Sequence, residues 1–326
     1  MFLREWIKKV MYNILPSYRV ARRIEDGNIN MQRRLEERIS KIESKFIEQE
    51  ARNELLFWYG MQENGESLET IKKRFFMSMP PADGLLRERQ LSSDFILKAF
   101  KEICEKHGLT YWLEGGTLLG AIRHEGFIPW DDDIDVNMPE ADVIKLEKIL
   151  ETNEIFRFRN KYNYFLCCII PGIEMRDGTK GWIDIFPMKY INSKELGHHG
   201  TKKRINDACA AMRKELIAEC RDKHPGVEFL DMNLGNTKDV KKVQEIMNKY
   251  LEQFPESEDS DCCYRSLTAL NSPGGADLFY KDDIYPLTFG IFEGTEYNIP
   301  RNFDKWLKTY YGDYYRIPKN VNPKHF

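Results

Sequence analysis

"EGGTLLGAIRHEGFIPWDDDIDV", Glu114 to Val136, joins a glycine pair to a run of four aspartates. Ile134 and Val136 alternate with Asp133 and Asp135. A strand points successive side chains to opposite faces, so the two carboxylates share one face and the apolar pair is buried behind them. Just upstream, "TYWLEGG" reads as a buried strand running into a turn, and "TLLGAIR" as a short helix. Strand, glycine turn, helix and acid-bearing strand together open a mixed α/β core.

Asp131, Asp132, Asp133 and Asp135 cannot all stay ionised side by side without water or a cation, because like charges a few ångströms apart raise one another's pKa. Oxygen-only ligands select a hard divalent ion, Mg²⁺ or Mn²⁺, over zinc. An EF-hand fits the first three acids but fails at its sixth position, Val136, and at its twelfth, Asp142, which falls in a predicted helix. A third carboxylate would complete the site, and Asp184 in "GWIDIF" is the candidate, flanked by Ile183 and Ile185 on a predicted strand. Its other reading is an edge-strand acid in water.

The glycines point to phosphate. Gly115 and Gly116 precede a helix N-terminus, whose free N–H groups and dipole favour an anion, and the Thr117 hydroxyl can add to them. The spacing from Gly115 to Gly120 matches a Walker loop, but Ala121 and Ile122 stand where Lys and Ser/Thr are needed, and GxGxxG is absent. Arg123 and His124 follow the turn as candidate phosphate contacts, His124 reading equally well as a structural histidine.

Outward from this block, the chain has 326 residues, 42% hydrophobic and 13% aromatic, enough for a sizeable core. No apolar run approaches the ~20 residues of a membrane span. A net charge of -3 argues against a general nucleic-acid binder. Seven cysteines, with Cys167–Cys168 and Cys262–Cys263 adjacent and no CxxC, suit neither a disulfide framework nor a zinc site and point to a reducing compartment. Lys8 and Lys9 interrupt any signal-like apolar run, so the expected location is cytoplasmic, on the inner face of the membrane if the first helix binds lipid.

Residues 1–80 are expected to form a helical extension. Leu3, Ile7, Val10, Met11 and Ile14 with a basic flank suit an interfacial membrane helix over residues 1–23, or a helix docked on the protein itself. Met31, Leu35, Ile39, Ile42 and Phe46 suit a short coiled coil and a homodimer through residues 24–50, or again a docked helix. "MSMPPADG" marks a boundary before a catalytic domain over residues 85–326. Within it, residues 91–107 read as a helix capped by Gly108, Pro139 as the first residue of a helix, and residues 195–275 as a helical insertion. "LTFGIFEGTEYNIP" reads as a hairpin turning at Glu293–Thr295.

The central block resembles the LicD family, which includes fukutin-type proteins and lies in the nucleotidyltransferase-fold superfamily. "GGTLLGAIRHEGFIPWDDDID", "IDIFP" (Ile183–Pro187) and "FEGTEYNIPRNFDKWLKTYYGDYYRIP" carry the likeness, which spans roughly residues 85–318. It implies an α/β nucleotidyltransferase-like fold and a metal-dependent phosphotransferase. The donor would be a CDP-activated alcohol, delivering phosphocholine or an alditol phosphate, and the acceptor a cell-surface glycan such as lipopolysaccharide or teichoic acid. Gly115 and Gly116 would cradle phosphate. Asp133, Asp135 and Asp184 would hold the metal, with Asp184 also a candidate base. Trp130 and Trp182 are candidates to face a choline ammonium, and Glu293 to orient substrate or shape the hairpin. Glu114 stands where the family more often has a small or polar residue. Competing readings are transfer of a nucleoside monophosphate to a small acceptor, a DxD glycosyltransferase using Asp133 and Asp135, and a non-enzymatic membrane-bound scaffold.

Overall fold

Pro16, whose fixed φ suits a first helical turn, opens α1 (Pro16–Gly60), a single helix of 45 residues. The computed structural model describes residues 16–235, 237–257, 259–269 and 275–317. They form two compact units divided between Lys72 and Lys73. The two N-terminal stretches read separately from the sequence are continuous from Pro16 onward; residues 1–15, which carry most of the membrane-surface pattern, lie outside the described residues. After α1 the chain turns through Asn64 and Gly65, at φ 51 and 72. Ser67 then caps α2 (Leu68–Met77), its hydroxyl accepting from Thr70 N at 3.2 Å.

In the second unit, α3 (Gly84–His107) ends at Gly108, in the left-handed region at φ 64 with its N–H on the Cys104 carbonyl. One mixed sheet follows. Its strands lie in the order β1 (Trp112–Leu113), β2 (Asp135–Pro139), β5 (Trp182–Ile191), β4 (Cys168–Met175), β3 (Phe156–Asn163) and β6 (Phe229–Asp231). β2 and β5 run parallel, the other neighbours antiparallel. β5 is long enough to pair with β4 through Trp182–Asp184 and with β7 (Cys262–Arg265) through Met188–Ile191; β7 in turn carries β8 (Leu278–Tyr280). This is the mixed α/β core expected from the sequence.

Two apolar clusters fill the unit. The larger gathers side chains of α3, of α4 (Gly115–Arg123), of α5 (Glu140–Glu151) and of α9 (Phe303–Tyr311). The other gathers those of α6 (Gly197–Glu219) and α7 (Lys238–Leu251). The adjacent cysteines of β7 divide between them, Cys263 in the larger and Cys262 in the smaller, as the two-residue period of a strand requires. All seven cysteines are free and buried. The connection between β8 and the hairpin is the short helix α8 (Lys281–Ile284). The hairpin of β9 (Thr288–Phe292) and β10 (Thr295–Ile299) turns on Glu293 and Gly294, both at positive φ, 46 and 73. That backbone matches strand twist.

Two sequence expectations change. The stretch from 195 to 275 is not wholly helical: β6 and β7 leave it to join the main sheet at β3 and β5. Both strands are short, and β7 is buried along most of its length, so neither shows the apolar–polar alternation that marks a half-exposed strand. Pro139 caps α5 instead of entering its first turn. Among the described residues, no helix is long and apolar enough to cross a membrane.

Candidate metal centre

Asp135, the first residue of β2, lies directly opposite Asp184 of β5 in the parallel register. Asp184 N donates to the Ile134 carbonyl at 2.8 Å, and Glu114 N to the Asp135 carbonyl at 3.0 Å, so backbone bonds fix both positions. Asp133 sits one strand period before Asp135. One carboxylate oxygen from each of Asp133, Asp135 and Asp184 falls within 4.8 Å of the others, and Asp131, Asp132 and Asp133 form a second such group.

The glycine pair is pressed against these acids. A Cβ on Gly115, which has φ 53, would stand 2.6 Å from Asp135 Oδ2, and one on Gly116 would overlap the Asp131 carboxylate. The N-terminus of α4 therefore faces carboxylates. The Thr117 hydroxyl accepts from Asp135 N at 2.9 Å and is buried, tying α4 to β2.

Burial, and then the charges of Asp133, Asp184 and Asp131, hold the Asp135 carboxyl well above the usual carboxylate range, against the opposing pull of Arg265. Other arginines ring the acids. Arg159 is ion-paired with Asp184, and Arg89 with Asp132 at 3.2 Å. Both guanidinium groups lie against Trp182, at 5.8 and 5.3 Å from its ring centre. Trp182 thus already carries cations of the chain itself, and Trp130 stands edge-on to His124 at 6.4 Å.

Arg123 and His124 take a different place from the expected phosphate contacts. Arg123 is 4% exposed, donates to the Tyr314 carbonyl at 2.7 Å and lies 4.3 Å over the Phe76 ring. His124 packs edge-on to Phe76 at 5.5 Å, and burial, then the Arg123 charge, lower its pKa to about 3. Both fasten the end of α4 to the interior. Glu293 is a clasp: it takes two bonds from Arg87, at 3.1 and 2.7 Å, and one from Phe127 N at 3.1 Å, binding the hairpin to α3 and to the loop after α4.

Sequence reading missed the support behind the glycine turn. Glu114 is 2% exposed and accepts from Asn137 Nδ2 at 2.5 Å, Trp306 Nε1 at 2.8 Å and Arg265 Nη2 at 3.2 Å. Burial pushes its carboxyl up despite these partners. Arg265 also stacks on Phe186 at 3.7 Å. Its one sequence signal was the mismatch of an acid beside the glycine pair; Arg159, Arg265 and Trp306 lie far along the chain and gave none.

Three partly buried carboxylates with converging oxygens, one of them disfavoured as an anion by burial and then by its acidic neighbours, fit a hard divalent cation. Residues 108–206 match the family described as "LicD/FKTN/FKRP, nucleotidyltransferase domain". The chain is similar to "Lipopolysaccharide cholinephosphotransferase LicD" of Haemophilus influenzae, 29% identical over 257 residues, covering 73% of this chain and 94% of that protein. It is also similar to human "Ribitol 5-phosphate transferase FKRP", 39% identical over 71 residues, 20% of this chain and 14% of that one.

Proposed function

We propose, from the match of residues 108–206 to the nucleotidyltransferase domain of the LicD family, that the chain is a transferase of substituted phosphate groups acting on a glycan. Its donor is a CDP-activated alcohol and its acceptor a hydroxyl of a cell-surface glycan. What carries the reading is the convergence of Asp133, Asp135 and Asp184 beside a helix N-terminus. The relatives add the substrate class, since their names pair a phosphorylated alcohol with transfer, one of them to lipopolysaccharide.

In this reading the acceptor oxygen attacks the phosphorus that bears the alcohol. The bond from that phosphorus to the CMP oxygen breaks, CMP leaves, and the hydroxyl proton passes to a carboxylate, for which Asp184 is the candidate. Asp133, Asp135 and Asp184 would hold Mg²⁺ or Mn²⁺, which when bound neutralises charge developing on the transferred phosphoryl group. Arg159 steadies Asp184 by its ion pair, and Arg89 does the same for Asp132. The backbone N–H groups after Gly115 lie beside the acids, where donor phosphate would meet both.

The test incubates the full chain with a panel of CDP-alcohols, Mg²⁺ and extracted surface glycan, and resolves the nucleotide products. CMP release with alcohol phosphate on the glycan supports the reading. A nucleotidylated acceptor would replace it with transfer of a nucleoside monophosphate. Activity that survives both Asp133→Asn and Asp135→Asn would remove these acids from the chemistry.

A further inference from the structure

We propose that α1 pairs in parallel with α1 of a second copy of this chain, as a two-stranded coiled coil. At ~1.5 Å per residue its 45 residues span about 68 Å. Along it Leu35, Ile39, Ile42 and Phe46 are 47, 54, 65 and 60% exposed. Helices gain most of their stability from packing an apolar face, and these side chains leave theirs in water. Their spacing of four, three and four residues is that of d, a, d and a positions in a heptad. Continued onward, the same register puts Gln49 at d, Asn53 at a and Leu56, 61% exposed, at d. Ile24, Met31 and Ile47 fall outside the seam as scattered surface residues.

The charges settle the partner and its direction. In this register Glu36, Glu43 and Glu50 occupy e positions, and Arg38, Lys45 and Arg52 occupy g positions. In a parallel pair a g residue meets the e residue of the next heptad on the other helix. Arg38 then faces Glu43 of the second copy and Lys45 faces its Glu50, twice over by symmetry. Reversing one helix would set g against g and e against e, bringing bases to bases and acids to acids. A helix whose e and g rows complement each other pairs best with itself. Asn53 at an a position favours two strands in one register at a cost in stability, so the dimer dissociates on dilution. This inference does not depend on the transferase reading.

Light scattering on the full chain, from ~1 to ~100 μM, should show the mass of two chains at the upper end and of one at the lower. Gln49→Cys should cross-link two chains in a glutathione buffer, since like d positions face each other only in a parallel, in-register pair, and the native cysteines are buried. The pairs Arg38→Glu with Lys45→Glu, and Glu43→Lys with Glu50→Lys, should each weaken association on the order of tenfold, and an equal mixture of the two should restore it. A single-chain mass at ~100 μM, a dimer that Gln49→Cys fails to link, or charge variants as dimeric as the native chain would each overturn the proposal.

Discussion

Asp135 and Asp184 face each other across the parallel β2–β5 pair, two carboxylates set at matching positions by backbone hydrogen bonds and by the Thr117 hydroxyl that accepts from Asp135 N. Their spacing is built into the sheet, so their repulsion persists whenever no cation lies between them. Asp135→Asn should therefore raise the melting temperature of chelator-treated protein, by an amount corresponding to about 1 kcal/mol, and abolish any further rise on adding Mg²⁺. Turnover should fall ~100-fold or more. Calorimetry with and without the metal checks both; an Asp135→Asn protein less stable than the native one in chelator would refute the account.

Gly116→Ala is expected to leave the fold intact and damage the site. Gly116 is helical, so alanine suits its backbone, but the new methyl occupies the place of the Asp131 carboxylate. That side chain can swing aside, so the cost should appear in Mg²⁺ dependence and kcat. Gly115→Ala adds left-handed strain of about 1 kcal/mol and presses on Asp135 itself, and should be the worse of the two. Equal activity in all three proteins would show that the acids need no such clearance.

His124 makes stability depend on pH. Its pKa falls to about 3 in the folded state, whereas an unfolded histidine titrates near ~6.5. Between those values the unfolded chain binds the extra proton, so the stability associated with neutral His124 is complete above ~6.5 and drains away as pH falls towards 3. From pH 7 to pH 5 the native protein should lose on the order of 1–2 kcal/mol more than His124→Gln. Urea unfolding of the two at both pH values measures the difference, and parallel losses would contradict it.

Arg265→Ala strips the buried Glu114 of its charged partner and should cost ~3 kcal/mol, the usual penalty for leaving one member of a buried pair. Combining it with Glu114→Gln removes the stranded charge, so the double variant should be less destabilised than the sum of the singles. Denaturant titrations of the four proteins give the coupling; strict additivity would mean that the two groups do not act together.

The acid-bearing strand, the helix before the first strand and the hairpin were all legible because each rests on a local pattern: alternation around Ile134, a cap at Gly108, a glycine turn within Glu293–Thr295. Asp184 was legible for the same reason, as an acid between Ile183 and Ile185. The crowding of Gly115 and Gly116 against Asp135 and Asp131 was not, because clearance around an absent Cβ exists only once the chain has folded. Arg159 and Arg265 reach the site through strand pairing between distant segments, and a charged residue read alone looks like solvated surface. Arg123 misled for the converse reason: adjacency to the glycine turn suggested phosphate, while its helix position aims it at Phe76 and the Tyr314 carbonyl.

The bond from Trp306 to Glu114 spans 192 residues, and the match to the family's nucleotidyltransferase domain ends at residue 206. An excised fragment of residues 108–206 would keep every aspartate of the centre while losing the indole and guanidinium that hold the turn beneath it, as well as Arg87 and the hairpin it secures. Likeness along a sequence marks where chemistry is written; it does not mark where a chain can be cut. Anyone trimming this protein for expression should keep residues 73–317, which include the Phe76 ring under Arg123 and His124, whatever the extent of the match.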